Sequence, residues 1–218
     1  MSPYRLADHL GTCEVDGRTV MLDLRRDRYF LLDADTSTAL RRWRAEEGLE
    51  SDDPAIIRLN TMGMIVSADA TASEADDRPA VPTTSLLDQI APLQPGAWSV
   101  LPEVAAIMWG TRRRLSHRGL QSEVDAFRRR KPSEVRDSDP AVQLARFRAA
   151  RRLVPIAPTC LTDSLALAAF LASRGIPADL VFGVKLDPFA AHCWLQNQQA
   201  ILNDAADAVT EFTPIMAV

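Results

Sequence analysis

The sequence predicts an α+β chain of two modules. The first, residues 1–68, is a small winged helix-turn-helix unit; the second, residues 85–218, packs a cysteine-bearing helix on an antiparallel sheet. Three observations point to this. Residues 13–66 run from short alternating strand patterns into two capped helical patterns and back to a strand. Residues 69–84 are small, acidic and proline-bearing, with few apolar side chains to bury, which is the composition of a linker. Beyond residue 158, one strongly apolar helical run is followed by three strand-like runs separated by polar turns.

The 218 residues, 47% hydrophobic and 25% charged, suffice for one full core or for a small and a medium one. No run reaches the roughly 18 apolar residues of a spanning helix, and the first residues carry Asp8 rather than an apolar signal core. A soluble, cytoplasmic protein is expected. Cys13, Cys160 and Cys193 are odd in number and far apart in a chain too large to need disulfide staples, so free thiols in a reducing compartment fit.

Within the first module, Cys13-Glu14-Val15 reads as a short strand turned by Asp16-Gly17, with Cys13 a half-buried strand residue rather than a reactive one. Thr19 to Leu24 alternates as a half-buried strand, Tyr29 to Leu32 as another, and Arg25 to Arg28 forms the hairpin tip. Asp35-Thr36-Ser37 offers side-chain oxygens to cap a helix bearing Ala39, Leu40 and Trp43, ending near Gly48. A second helix begins after Asp52-Asp53, with Pro54 in its first turn and Ile56, Ile57 and Leu59 facing inward. Gly63 stops it before the wing-like strand Met64-Ile65-Val66.

The obvious partner of such a shape is DNA, but releasing phosphate counterions takes a basic face. Residues 1–80 carry 10 Arg and no Lys against 16 Asp and Glu, a balance of −6, so nucleic acid is excluded as the expected partner. The order of elements, and particularly Val20-Met21-Leu22-Asp23-Leu24, Tyr29-Phe30-Leu31-Leu32-Asp33 and Trp43, resembles the PqqD-like recognition elements that bind leader peptides of ribosomally made natural products. In that family the leader adds as an extra strand beside the third strand, against a neighbouring helix, with main-chain bonds for affinity and side-chain pockets for specificity. The resemblance places this surface on Tyr29, Phe30, Leu31 and Leu32 and on the helix at 54–62, including Ile56.

From Ser85 the pattern is helical: Leu86, Leu87 and Ile90, then Trp98, Val100, Leu101, Val104, Ile107, Met108 and Trp109, divided into short pieces by Pro92, Pro95, Gly96 and Pro102. Residues 111–152 follow with 13 Lys and Arg against 5 acids, read as a solvated helical face or as a docking surface for an acidic partner, a precursor peptide or a nucleotide. His117 is a surface residue of this stretch. No GxxxxGK[ST] loop is present, so a self-contained nucleotide site is not expected.

Pro158-Thr159-Cys160 opens a helix carrying Leu161, Leu165, Leu167, Ala168, Phe170 and Leu171, with Asp163 in its first turn and Gly175 as its stop. Cys160 thereby lies at a helix N-terminus, where unpaired N–H groups and the helix dipole favour a thiolate and can hold an oxyanion. Position alone leaves a structural cysteine open. Ala178 to Val184 reads as a buried strand, Ala191 to Leu195 as the next, and Ala200 to Asp204 as a third that ends with Asp204 beside His192. Strand alternation puts His192 and Trp194 on one face and Cys193 on the other, outside the site. A core histidine also remains open.

The runs Cys160-Leu161-Thr162-Asp163-Ser164-Leu165-Ala166-Leu167, Arg174-Gly175-Ile176-Pro177-Ala178, Phe182-Gly183-Val184, Pro188-Phe189-Ala190-Ala191-His192-Cys193-Trp194 and Leu202-Asn203-Asp204 resemble the leader peptidases of lasso-peptide biosynthesis, which are transglutaminase-like cysteine hydrolases. This match covers about residues 155–206; together with the recognition element it resembles the fused B protein of proteobacterial lasso clusters. The resemblance implies Cys160 as nucleophile, His192 as general base and then acid, and Asp204 as the group that fixes the imidazole, with gaps of 32 and 12 residues between them. It implies a lasso precursor's leader and an asparagine-synthetase-like cyclase as partners. It implies no metal and no cofactor bound by this chain, ATP being used by the cyclase. For the oxyanion, the backbone N–H of Cys160 is the expected donor, and Gln143 an available side chain. Two other readings stay open: an acyl-transferring, transglutaminase-like enzyme, and a non-enzymatic protein that binds and delivers a peptide.

Overall fold

A computed structural model describes residues 4–45, 50–67, 80–89, 97–130 and 139–218. Most of the expected linker, the helix stop at Gly48 and the breaks at Pro92, Pro95 and Gly96 lie outside the described residues. The chain divides into two compact units, Met1–Arg78 and Pro79–Val218.

In the first unit, β2 (Leu10–Val15), β3 (Arg18–Asp23) and β4 (Arg28–Leu31) form an antiparallel sheet in the order β2-β3-β4. The β2–β3 turn needs two left-handed residues, Asp16 and Gly17, with φ of 50° and 74°. At the next tip, Asp23 accepts from the N–H groups of Arg25 and Arg26 at 2.9 and 3.2 Å, so a buried carboxylate shapes the turn. A separate pair, β1 (Tyr4–Leu6) with β5 (Ile65–Ser67), brings together the two ends of the unit.

Helix α1 (Ala34–Ala45) starts earlier than the Asp35-Thr36-Ser37 cap would place it. Asp33 does the capping: its carboxylate accepts from the Thr36 N–H at 2.9 Å and hydroxyl at 2.7 Å, and these bonds hold its pKa down at about 2. Helix α2 (Pro54–Thr61) follows expectation, with Asp53 accepting from the Ala55 N–H at 2.8 Å, Pro54 in the first turn, and Gly63 at φ 68° beyond its end. Its faces differ from the reading. Ile56 and Leu59 are buried, but Ile57 is 52% exposed, because three consecutive-turn positions cannot all share one side of an eight-residue helix.

In the second unit, α3 (Ala97–Arg130) runs straight through Pro102, which was expected to divide it. Pro102 is the sixth residue of the helix and removes one N–H bond, to the Trp98 carbonyl, without ending it. The break comes at Gly119 instead, with φ 76° and ψ 173°. Beside α3 lie α4 (Pro140–Arg151) and α5 (Cys160–Ala172). Helix α5 is apolar nearly all round, and it is accordingly enclosed, with Leu165 to Ala168, Phe170 and Leu171 all buried. The sheet against it has the order β7-β6-β8, from β6 (Asp179–Lys185), β7 (Ala190–Gln196) and β8 (Thr213–Ala217), all antiparallel.

The third strand is thus β8, not residues 200–204, which make only isolated bridges from Ile201 to Gln196 and to Ser85. Side chains interrupt the ladder there. Asn197 takes the N–H groups of Gln199 and Ala200 at 2.9 and 2.8 Å, and Asn203 takes that of Leu195 at 2.7 Å. The sheet face away from α5 carries Val181 and Trp194, covered by Ile201, by Val209 on the short helix α6 (Ala206–Thr210), and by Phe212. Among the described residues, no helix is long and apolar enough to cross a membrane.

Candidate active site

Helix α5 begins with Thr159 as its N-cap, the hydroxyl accepting from the Thr162 N–H at 3.3 Å. Asp163, one turn in, accepts from the Thr159 N–H at 3.2 Å and pairs with Arg151. Arg151 also donates to the carbonyls of Val154 and Ile156 at 3.2 and 2.9 Å, tying the end of α4 to the start of α5. Cys160 is therefore the first helical residue of a firmly held turn, and its side chain is exposed.

The sheet edge supplies the remaining groups. His192 on β7 meets Asp204 with Nε2 to Oδ2 at 2.5 Å, while the other oxygen of Asp204 accepts from the Ala205 N–H at 2.8 Å. The Ser85 hydroxyl donates to the Asp204 carbonyl at 2.5 Å. The imidazole lies over Trp194 with ring centroids 6.1 Å apart and beside Phe212 at 5.2 Å. Since Nε2 is engaged by Asp204, Nδ1 is the nitrogen left for Cys160.

Electrostatics turn this into an ion pair. Hydrogen bonds from Cys193 and then from His192 outweigh partial burial and bring the Cys160 thiol down to about 4. Hydrogen bonds to Asp204 and then to Cys160 raise His192 to about 9 against the same burial. Burial pushes Asp204 up, but His192 and the Ala205 N–H more than offset it, so the carboxylate stays below its ordinary value. At neutral pH the pair is thiolate and imidazolium, the reactive form of a cysteine nucleophile.

Cys160, His192 and Asp204 thus come together. Cys193 joins them, contrary to expectation. Alternation holds along β7, since Cys193 points toward α5 and its carbonyl accepts from the buried Ser164 hydroxyl at 3.3 Å. But β7 is an end strand of its sheet, and both the His192 ring and the Cys193 thiol reach Cys160. The Cys193 thiol donates to it, and this bond, with burial and the charge of the neighbouring thiolate, holds Cys193 protonated, its pKa well above the usual value. Gln143, by contrast, accepts from Arg174 Nε at 3.0 Å, beyond the far end of α5. A helix of 13 residues is about 20 Å long, so Gln143 is out of reach of Cys160.

In the other unit, Tyr29 and Leu31 lie on β4, a terminal strand of its sheet, and Leu31 is 58% exposed. Phe30 and Leu32 are half-buried and pack on the core. Ile56, expected on the leader-facing surface, is 1% exposed and belongs to that core; the exposed apolar side chains of this region are Leu31, Ile57 and Met62.

Asn203, Ser164 and Ser85 hold the site together and were not singled out from the sequence. The available signal was Asn203 itself, a side chain prone to take backbone N–H groups, set directly before Asp204.

Two comparisons with known proteins find similarity. The family described as the transglutaminase-like superfamily matches residues 105–217, just over half of the chain. The chain is 48% identical over 46 residues to the microcin J25-processing protein McjB of Escherichia coli, a match spanning 21% of this chain and 22% of that protein. No solved structure matches.

Proposed function

The chain belongs to the transglutaminase-like superfamily, and from that membership we propose that it is a cysteine peptidase which removes the leader from a ribosomally made precursor peptide of the lasso class. One observation carries the proposal: a thiolate at the start of α5 paired with an imidazolium whose Nε2 is held by Asp204 at 2.5 Å. The likeness to a microcin-processing protein supports the lasso class of substrate.

The residues define the steps. The Cys160 thiolate attacks the carbonyl carbon at the junction of leader and core, and the free N–H groups at the start of α5, that of Cys160 first, hold the resulting oxyanion. His192 passes its Nδ1 proton to the core nitrogen as the C–N bond breaks, leaving the leader as a thioester on Cys160. Neutral His192 then takes a proton from water, whose oxygen displaces the sulfur. Leader carboxylate departs, and the ion pair is restored. Throughout, Asp204 keeps Nε2 protonated and the ring in place.

The first unit captures the leader. Main-chain groups along β4 would pair with the leader as an added strand, with Leu31 and Ile57 as apolar contacts. The freed core is then available to an ATP-using, asparagine-synthetase-like cyclase, the partner the lasso class calls for.

Mass spectrometry of a cognate precursor incubated with the protein tests this. Leader and core should appear as two hydrolysis products, and Cys160→Ala and His192→Ala should abolish them while leaving leader binding intact. Unchanged processing by either variant would remove the peptidase assignment. Amine incorporation without leader release would assign acyl transfer instead.

A further inference from the structure

Antiparallel pairing at Gln196 with Ile201, and the bond from the Leu202 N–H to the Leu195 carbonyl at 2.8 Å, start a ladder along the edge of β7. Continued in that register, it would set Asp204 opposite Cys193. Residues opposite one another in a ladder share a face, so the carboxylate would emerge on the α5 side, away from the His192 ring. The ladder stops at Leu195 and Leu202, two residues short of this. The Leu195 N–H is taken by the side chain of Asn203 at 2.7 Å, not by a backbone carbonyl. The backbone leaves β7 at this point, and Asp204 swings to His192 Nε2.

The other end of the same carboxamide reaches across to the cysteine helix. Asn203 Nδ2 donates to the Ser164 hydroxyl at 2.8 Å, and Ser164, fully buried one turn along α5 from Cys160, donates onward to the Cys193 carbonyl at 3.3 Å. One side chain therefore touches β7 three residues past His192, touches α5 four residues past Cys160, and adjoins Asp204 in sequence.

We propose that Asn203 is the positioning residue of the site, its carboxamide diverting Asp204 onto His192 and fixing the start of α5 in the same frame through Ser164. This rests on the reading of Cys160, His192 and Asp204 as the reacting set. Asn203 touches none of the reacting atoms. Its effect is on the alignment that makes the thiolate, since a displaced Asp204 no longer holds His192 charged, and an uncharged His192 no longer favours the thiolate.

The test is the pH dependence of Cys160 alkylation by iodoacetamide, followed by peptide mapping so that Cys13 and Cys193 do not contribute. It needs neither a substrate nor peptidase activity. Wild type should titrate at low pH, consistent with a thiol held near 4. In Asn203→Ala the midpoint should rise by about one unit or more, cutting the alkylation rate about tenfold at a pH one unit below the wild-type midpoint. Ser164→Ala, which removes the bond from Asn203 Nδ2 and the bond to the Cys193 carbonyl but leaves that between Asn203 and the Leu195 N–H, should move it less and in the same direction. A folded Asn203→Ala, judged by near-UV dichroism, with a wild-type midpoint would overturn the proposal. Should that variant not fold, Ser164→Ala decides: a raised midpoint supports the positioning role and an unmoved one overturns it. An ordinary thiol midpoint in wild type would instead bring down the ion-pair reading, and the positioning role with it.

Discussion

Gly183→Ala is the change to which the site's support is most exposed. Gly183 is the register partner of His192 on β6, at the point where the pairing of β6 with β8 slips. A Cβ there would stand 2.7 and 2.9 Å from Trp194 Cζ3 and Cη2 and 3.0 Å from Phe212 Cβ. Restoring an ordinary contact near 3.5 Å requires the indole to retreat by about 0.8 Å. It has nowhere to go: Trp194 is fully buried, and its Nε1 donates to Gln196 Oε1 at 2.8 Å. Overpacking of this kind costs about 1–3 kcal/mol, and alanine's better strand entropy returns part of it, leaving about 1–2 kcal/mol. For a unit of this size that lowers the melting temperature by about 5 °C. The imidazole stacked on the displaced ring should move as well, and leader cleavage should fall by about tenfold to a hundredfold. Trp194→Phe removes the two clashing atoms, so in a double-variant cycle followed by thermal melting the cost of Gly183→Ala should shrink by about 1 kcal/mol or more in that background. Equal cost in both backgrounds, or no cost in either, would refute the reasoning.

Three further outcomes follow from the same geometry. Leader cleavage should be bell-shaped in pH: the thiolate forms as pH rises through about 4 and the imidazolium is lost through about 9, so the competent pair exists between them, and a rate still rising above 9 would exclude it. Cys193→Ala removes the first of the groups that favour the Cys160 thiolate, so the alkylation midpoint of Cys160 should move up while the fold is kept; a midpoint that falls or stays would show that Cys193 is not the donor. Leu31→Asp, at a 58% exposed position, should leave stability within about 0.5 kcal/mol yet weaken binding of a fluorescent leader peptide about tenfold in an anisotropy titration, and equal affinity would move the leader off β4.

Much of this was legible in the sequence because it is local. The strand patterns at 19–24 and 29–32, the Asp53-Pro54 helix start and the Gly63 and Gly175 stops depend on neighbours a few residues away, and each stands where expected within a residue or two. That Cys160, His192 and Asp204 lie together was expected from helix start, strand order and the family resemblance, since the residues alone left a structural cysteine and a core histidine open. What misled were rules applied beyond their local range. Alternation correctly separated the side chains of His192 and Cys193, yet it treats a strand as two faces and takes no account of its edge, where a group can be touched from both. Periodicity read residues 200–204 as a strand, although Asn197 and Asn203 spend their side chains on the backbone groups a strand would use. Pro102 was read as a breaker, although it removes a single N–H bond and the helix continues past it.

The failed third strand is also what explains the site. A strand through Asp204 would have been the simpler structure, with more backbone pairing along β7. It would also have carried the carboxylate to the face of Cys193. The chain gives up that pairing at Leu195 and replaces it with one side-chain bond, so part of the sheet's regularity is exchanged for the orientation of a single carboxylate. The result is a thiolate already formed at rest on an exposed side chain. In the proposed mechanism, such a nucleophile would not choose among the peptides that reach it, because its activation needs nothing from the substrate. On the proposed reading, discrimination therefore has to come from capture: the acidic first unit selects the leader and Cys160 cuts what is held. It follows that raising the concentration of an unbound junction peptide should recover cleavage that weakened leader binding loses, measured as restored kcat at a raised KM for Leu31→Asp; a lowered kcat at saturating substrate would place part of the catalytic machinery in the first unit.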